Sequence, residues 1–208
     1  MKTILCYGDS NTWGFRPDTQ QRYGHSERWT RVLQRLLGEQ YWVIEEGQNG
    51  RTTVHDDPVD GQKNGLTYLG PCLESHKPID VVVLMLGTND LKHRFSKTAS
   101  DIAKSAGRLV HTIQESDTGP GGAAPEVLLL APPPVAKLTA FAETFEGASE
   151  KSRKLGAAYA AIATERGCAF LDTADTIHSS DVDGIHFDAD QLPNLADAVA
   201  RLVRDLTG

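Results

Sequence analysis

Cysteine is scarce in this chain. Cys6, Cys72 and Cys168 are the only three in 208 residues, and none stands in a C-x-x-C pair or a Cys/His zinc spacing. Three thiols cannot all pair with one another, which excludes a disulfide-stapled miniprotein and points to a reducing compartment, the cytoplasm. Positive charge is also in deficit: 21 Lys and Arg face 28 Asp and Glu, a net charge of −7. The basic footprint of a phosphate-backbone binder is missing, so nucleic acid is not an expected partner. No apolar run approaches the ~18 residues that a membrane span needs. The opening run from Thr3 to Tyr7 reaches Gly8 before it attains the length of a signal-peptide core. Neither a membrane nor a secretory route is expected. What remains is a chain with 39% hydrophobic residues and 19 glycines, the composition of a globular protein, and its length suits one domain over 1–208.

Short apolar runs alternate with stretches of helical period. Thr3–Tyr7, Trp42–Glu45, Val81–Leu86, Val127–Ala131 and Ala169–Leu171 read as strands, and Val81–Leu86 is apolar on both faces as a central parallel strand should be. Helices are predicted over Glu27–Leu37, Gly65–Ser75, Ala99–Glu115, Ala148–Arg166 and Gln191–Leu206. Strands separated by helices imply α/β class, a three-layer α/β/α domain on a mainly parallel five-stranded sheet. In such sheets ligands bind outside the carboxyl ends of the strands, so chemistry is sought just after each apolar run.

Four such places hold polar motifs. The first strand ends in Gly8-Asp9-Ser10-Asn11-Thr12-Trp13-Gly14, where a serine follows at once on a turn. Ser10 there either caps a short helix or turn or points a hydroxyl into the crevice. Neither a dinucleotide fingerprint, nor a P-loop, nor the G-x-S-x-G elbow is present. Near the C-terminus, Asp183-Gly184-Ile185-His186 sets a carboxylate three residues before an imidazole. That spacing lets Asp183 accept from the His186 Nδ1–H and leaves Nε2 free to take a proton from a serine. The rival reading is an acidic solvated loop, because Asp181, Asp188 and Asp190 crowd the same segment. A calcium loop does not match the ligand spacing. Acyl transfer by serine also needs donors for the oxyanion, and Gly47-Gln48-Asn49-Gly50-Arg51-Thr52 and Gly87-Thr88-Asn89-Asp90 supply candidates, although each also suits an ordinary turn.

Together, in this order and spacing, the four blocks resemble those of the SGNH (GDSL) hydrolase family, over residues 8 to 186. The resemblance implies a flavodoxin-like sheet, Ser10 as nucleophile, His186 as base and then acid, and Asp183 as its orienter. It implies an oxyanion hole made by the backbone N–H groups of Ser10 and Gly50 and the Asn89 side chain. One departure stands out, since Asn49-Gly50 occupies the place of the Ser-Gly of many members. No metal and no organic cofactor are implied.

The motif details are similar to the bacterial arylesterase and acyltransferase branch. That branch implies short-chain acyl esters, aryl or acetyl, as small-molecule substrates. Water or an alcohol is the acceptor, acetylated carbohydrate is an alternative substrate, and the chain is a homo-oligomer, suspected to be an octamer. On this view the segments Val54–Asn64 and Val135–Gly147 are the interface and channel loops. Asp9, Asn11, Trp13, Phe145 and Ile185 are the candidate substrate-binding residues, while Leu138, Phe141 and Phe170 either line an apolar entrance or pack beneath a loop. Lys92 and Arg94 serve subunit contacts or solubility. A reading from another class stays open as well, that of a non-catalytic module holding an anion at the serine turn.

Overall fold

A computed structural model describes all residues from Met1 to Gly208. The five predicted strands are all present, as β1 (Lys2–Gly8), β2 (Tyr41–Gly47), β3 (Val81–Met85), β4 (Glu126–Ala131) and β5 (Ala169–Asp172). They form one all-parallel sheet in the order β2-β1-β3-β4-β5. Side chains alternate across a strand, so each contributes to two cores. Leu5, Tyr7, Val82, Leu84 and Leu129 face one layer, with Leu69, Ile102, Leu109 and Tyr159 from its helices. Ile4, Cys6, Val83, Leu128 and Leu130 face the other, with Trp29, Leu33, Leu195 and Val199.

The helices are α1 (Ser10–Trp13), α2 (Trp29–Leu37), α3 (Gly65–His76), α4 (Ala99–Gln114), α5 (Ala148–Ser152), α6 (Leu155–Arg166) and α7 (Gln191–Thr207). Two of them depart from the sequence reading. The short α1 carries too few residues for a period to show. The predicted continuous helix Ala148–Arg166 is broken into α5 and α6, because the Ser152 hydroxyl accepts the Val135 N–H and Lys154 N–H bonds back only three residues, to Lys151. Hydrophobic spacing carries no record of a hydroxyl spent on a neighbouring loop. No helix is long and apolar enough to cross a membrane. All three cysteines are free; Cys6 and Cys72 are buried and Cys168 is half-buried.

The strand order reverses direction between β1 and β3, and the connections leaving their carboxyl ends diverge to open a crevice there. Ser10 lies just beyond β1 and Asn89 just beyond β3, so the sheet topology alone brings those two motifs to the rim of one cleft.

Candidate active site

Three backbone features shape the rim. Asp9 caps α1, its Oδ1 accepting the Asn11 N–H at 3.0 Å, so Ser10 is the first residue of a helical turn and its own N–H has no partner within that turn. Gly50 adopts φ +80°, a conformation that a residue with a Cβ rarely holds, and its N–H has no acceptor in the chain. The β2 end can approach α1 only because residue 47 is glycine: a Cβ there would sit 2.1 Å from the Trp13 nitrogen.

Folding brings the distant C-terminal motif to this rim. His186 Nε2 lies 2.9 Å from Ser10 Oγ, and His186 Nδ1 lies 2.6 Å from Asp183 Oδ2. The other Asp183 oxygen accepts the backbone N–H groups of Ile185 at 2.8 Å and His186 at 2.9 Å, which fixes the carboxylate plane. Burial works against the Asp183 charge, but the His186 ring and these two N–H donors outweigh it and hold the carboxyl below its ordinary range. Phe15 stacks on the His186 imidazole with ring centroids 4.0 Å apart, and Phe141 meets it edge-on at 6.0 Å. A carboxylate, an imidazole and a hydroxyl in series can remove the hydroxyl proton as the oxygen attacks a carbonyl carbon.

A cavity of about 270 Å³ lies over these groups, lined by Ser10, Phe15, Asn49, Gly50, Asp60, Asn89, Lys92, Arg94, Phe141, Thr144, Phe145, Ile185 and His186. It is small, near the lower end of ligand pockets. A larger cavity, about 590 Å³, lies beside Gln48, Arg51 and Tyr68 and contains no member of the serine–histidine pair. We take the smaller one as the reaction site because the reactive groups are in it.

Of the candidate substrate-binding residues, Phe145 and Ile185 line this cavity, whereas Asp9, Asn11 and Trp13 do not. The Asp9 carboxylate is turned inward, where Oδ2 lies 3.4 Å from the Asn89 amide. Asn11 reaches the Ile185 carbonyl at 3.4 Å and so ties the serine turn to the histidine loop. The Trp13 ring is held beneath Arg22, 5.0 Å from ring centroid to guanidinium. Each stands beside Ser10 in sequence, but the turn of α1 directs its side chain elsewhere. Leu138 and Phe170 likewise pack against the core. Phe15 and Thr144 are lining residues that sequence reasoning missed; nothing about an aromatic just past Gly14 marks it as a lid on the imidazole.

Lys92 and Arg94 are not loose surface charges. Lys92 Nζ lies 2.7 Å from Asp60 and 3.2 Å from Asp57, and Arg94 adds a contact to Asp57 at 3.0 Å. The four side chains clamp the 57–60 loop onto the turn after β3 and so close one wall of the cavity. Against its burial, the Asp60 and Val59 N–H groups and Lys92 hold the Asp57 carboxyl down at about 2.

Below the rim sit two buried carboxyls. Asp90 accepts from the Thr53 N–H at 3.0 Å and from the Thr53 hydroxyl, joining the second block to the third; burial nonetheless lifts its carboxyl above the ordinary range. Burial pushes Asp9 up from 3.8 to about 6, opposed by the Asn11 N–H, His186 and Arg51. A carboxyl whose folded value is raised binds more protons folded than unfolded between those two values, so its contribution to stability is lost as pH rises through about 6. The Asp9→Asn variant removes that loss. Urea unfolding of wild type and variant at pH 4 and pH 7 should show the difference moving by about 2–3 kcal/mol in the variant's favour as pH rises. A pH-independent difference would contradict the raised value.

Metal-ligating types gather in one other place. Glu46, Cys72 and His76 bring ligand atoms within 4.8 Å of one another, but none of the three lines the small cavity, and His76 Nε2 is engaged with Glu46 at 2.8 Å.

The model of the GDSL-like Lipase/Acylhydrolase family matches residues 6–192. The chain resembles the solved aryl esterase of M. smegmatis at 42% identity and a TM-score of 0.95, over 99% of this chain and 100% of that one. It resembles a carbohydrate acetylesterase from Sinorhizobium meliloti at 41% identity and a TM-score of 0.95, over 99% and 100%. An acetylxylan esterase from Xylanibacter ruminicola is 29% identical over 151 residues, 64% of this chain; the match spans only 29% of that protein's length.

Proposed function

Because the chain belongs to the GDSL-like lipase/acylhydrolase family and is a carboxylic ester hydrolase, we propose that Ser10 is its nucleophile, His186 its general base and acid, and Asp183 the orienter of the imidazole. The observation that carries this reading is the continuous series Asp183 Oδ2, His186 Nδ1, His186 Nε2, Ser10 Oγ, with links of 2.6 and 2.9 Å. Ser10 Oγ bonds to the acyl carbon while its proton passes to Nε2. The tetrahedral oxyanion then collapses, the ester C–O bond breaks, and the leaving alcohol takes the proton from His186. Water repeats the sequence on the acyl-enzyme and releases the acid.

The oxyanion is held by the Ser10 and Gly50 N–H groups and by Asn89 Nδ2. That amide now donates to the Arg51 carbonyl at 3.1 Å and, over a longer 3.4 Å, to Asp9; the longer contact is the weaker and is the one an oxyanion replaces. The substrates are short-chain acyl esters, aryl or acetyl, which suit a cavity of about 270 Å³ bounded on one side by Phe141, Phe145 and Ile185. An acetylated carbohydrate as the alcohol portion is favoured by the two carbohydrate-active relatives. Transfer to an added alcohol belongs to the same acyl-enzyme, with the side of the cavity formed by Phe15, Phe141, Phe145 and Ile185 disfavouring water at the second step. Val59, exposed on the 54–64 loop expected at an interface, is the feature that favours a homo-oligomer, which light scattering tests, and the free cysteines support a cytoplasmic site.

The test is steady-state hydrolysis of p-nitrophenyl acetate beside acetylated xylo-oligosaccharides. Release of p-nitrophenol by wild type should fall about 10²-fold in kcat in Asn89→Ala, some 3 kcal/mol of transition-state stabilisation, with a far smaller change in KM. An Asn89→Ala enzyme with wild-type kcat would remove the amide from the oxyanion hole.

A further inference from the structure

Arg51 is buried, 2% exposed, yet it makes no ion pair with any carboxylate. A desolvated guanidinium is costly unless its donors are satisfied. Here Nη1 and Nε are spent on the frame of the site. Nη1 donates to the Gly8 carbonyl at 2.8 Å and to the Glu46 carbonyl, joining the carboxyl ends of β1 and β2, and Nε donates to the Gln48 side chain at 3.3 Å. The guanidinium lies over the Tyr7 ring, 4.3 Å from its centroid, with the Tyr68 ring 5.3 Å away. The Arg51 carbonyl accepts the Asn89 amide at 3.1 Å, and its N–H closes the turn onto the Gln48 carbonyl at 3.1 Å.

Three sets of these contacts lead to the three oxyanion donors. Gly8 is two residues before Ser10; Gln48 and Arg51 bracket Gly50; Asn89 is held directly. We propose that Arg51 is a positioning residue that keeps the three oxyanion donors in register, although it does not line the cavity over Ser10. The proposal rests on the oxyanion-hole reading above. Arginine suits the place because its Nη1 meets two carbonyls and its Nε a side-chain oxygen while its face lies over the Tyr7 ring, a combination of separated donors and stacking that a lysine ammonium cannot reproduce. The donors must be preorganised to about an ångström, and misplacement on that scale costs about 10²-fold in rate.

The test compares Arg51→Lys and Arg51→Met with wild type on p-nitrophenyl acetate, with Ser10→Ala as a separate control of the underlying reading. Both Arg51 variants should lose about 100-fold in kcat with KM within about twofold, and should bind a phenylboronic acid, which forms a tetrahedral adduct on Ser10, more weakly by the same factor. In Arg51→Ala, guanidinium chloride at low concentration should restore part of kcat, because the cavity of about 590 Å³ beside Arg51 admits the free ion. Folded Arg51 variants that keep kcat within about threefold, or that lose kcat with unchanged boronate affinity, would overturn the proposal while leaving the triad reading to Ser10→Ala. Should the Arg51 variants not fold, Tyr68→Leu decides. It removes one stacking face from an exposed position, and it should lower kcat and boronate affinity together; wild-type values for both would overturn the proposal.

Discussion

Ser10→Ala is expected to lower kcat for p-nitrophenyl acetate by at least about 10³-fold while leaving the fold intact. The size follows from losing the atom that forms the acyl-enzyme in the proposed mechanism; what survives there is attack by water on an ester still held among oxyanion donors. The intact fold follows from the hydroxyl's contacts. Ser10 Oγ has one hydrogen-bond partner, His186 Nε2, and no part in holding β1, α1 or the cavity wall. Its removal should change stability by no more than about 1 kcal/mol, the net worth of one such bond. Urea unfolding and active-site kinetics on the same preparation check both halves. A variant with substantial residual turnover, or one that loses activity only by unfolding, would contradict the assignment.

Asp183→Asn should cost about 10³- to 10⁴-fold in kcat with little movement of atoms. One Asp183 oxygen takes two backbone N–H groups and the other takes the imidazole Nδ1, so every lone-pair direction in use is an acceptor. An asparagine keeps one acceptor. If its oxygen stays with the backbone, its NH₂ faces Nδ1, which must then be the bare nitrogen, and the ring proton moves to Nε2. A protonated Nε2 cannot accept from Ser10. The substitution also removes a group whose folded pKa is depressed. The wild-type carboxylate contributes stability that is present above its unfolded value and lost as pH falls, and Asp183→Asn should lack that acid-side loss. An active Asp183→Asn enzyme would mean that His186 is oriented by something else.

Much of this was legible from residue order. Strand ends are readable because buried parallel strands are short continuous apolar runs, and the first three strands stop two to four residues before Ser10, Gly50 and Asn89. The sheet order turns that one-dimensional pattern into proximity, since β1 and β3 are neighbours. Direction was less legible. Asp9, Asn11 and Trp13 adjoin Ser10 in sequence, yet a turn of helix sends their side chains to Asn89, to Ile185 and under Arg22. The clamp of Lys92 and Arg94 on Asp57 and Asp60 joins residues more than thirty positions apart with no periodic signal between them. Arg51 reads in sequence as a charge beside a glycine turn. Only the meeting of β1, β2 and the Asn89 turn shows that its Nη1 is taken up by the Gly8 and Glu46 carbonyls and its Nε by Gln48.

The central claim is that the fold makes Ser10 Oγ the reactive oxygen of this protein. Diethyl p-nitrophenyl phosphate measures it most directly: attack by Oγ forms a Ser–O–P bond and expels p-nitrophenolate, leaving a diethylphosphoryl mass that peptide mapping can locate. The account predicts one label per chain, on Ser10, with esterase activity falling in step with labelling. Full labelling of Ser10 with activity retained, or complete inactivation with the label on another residue, would contradict it.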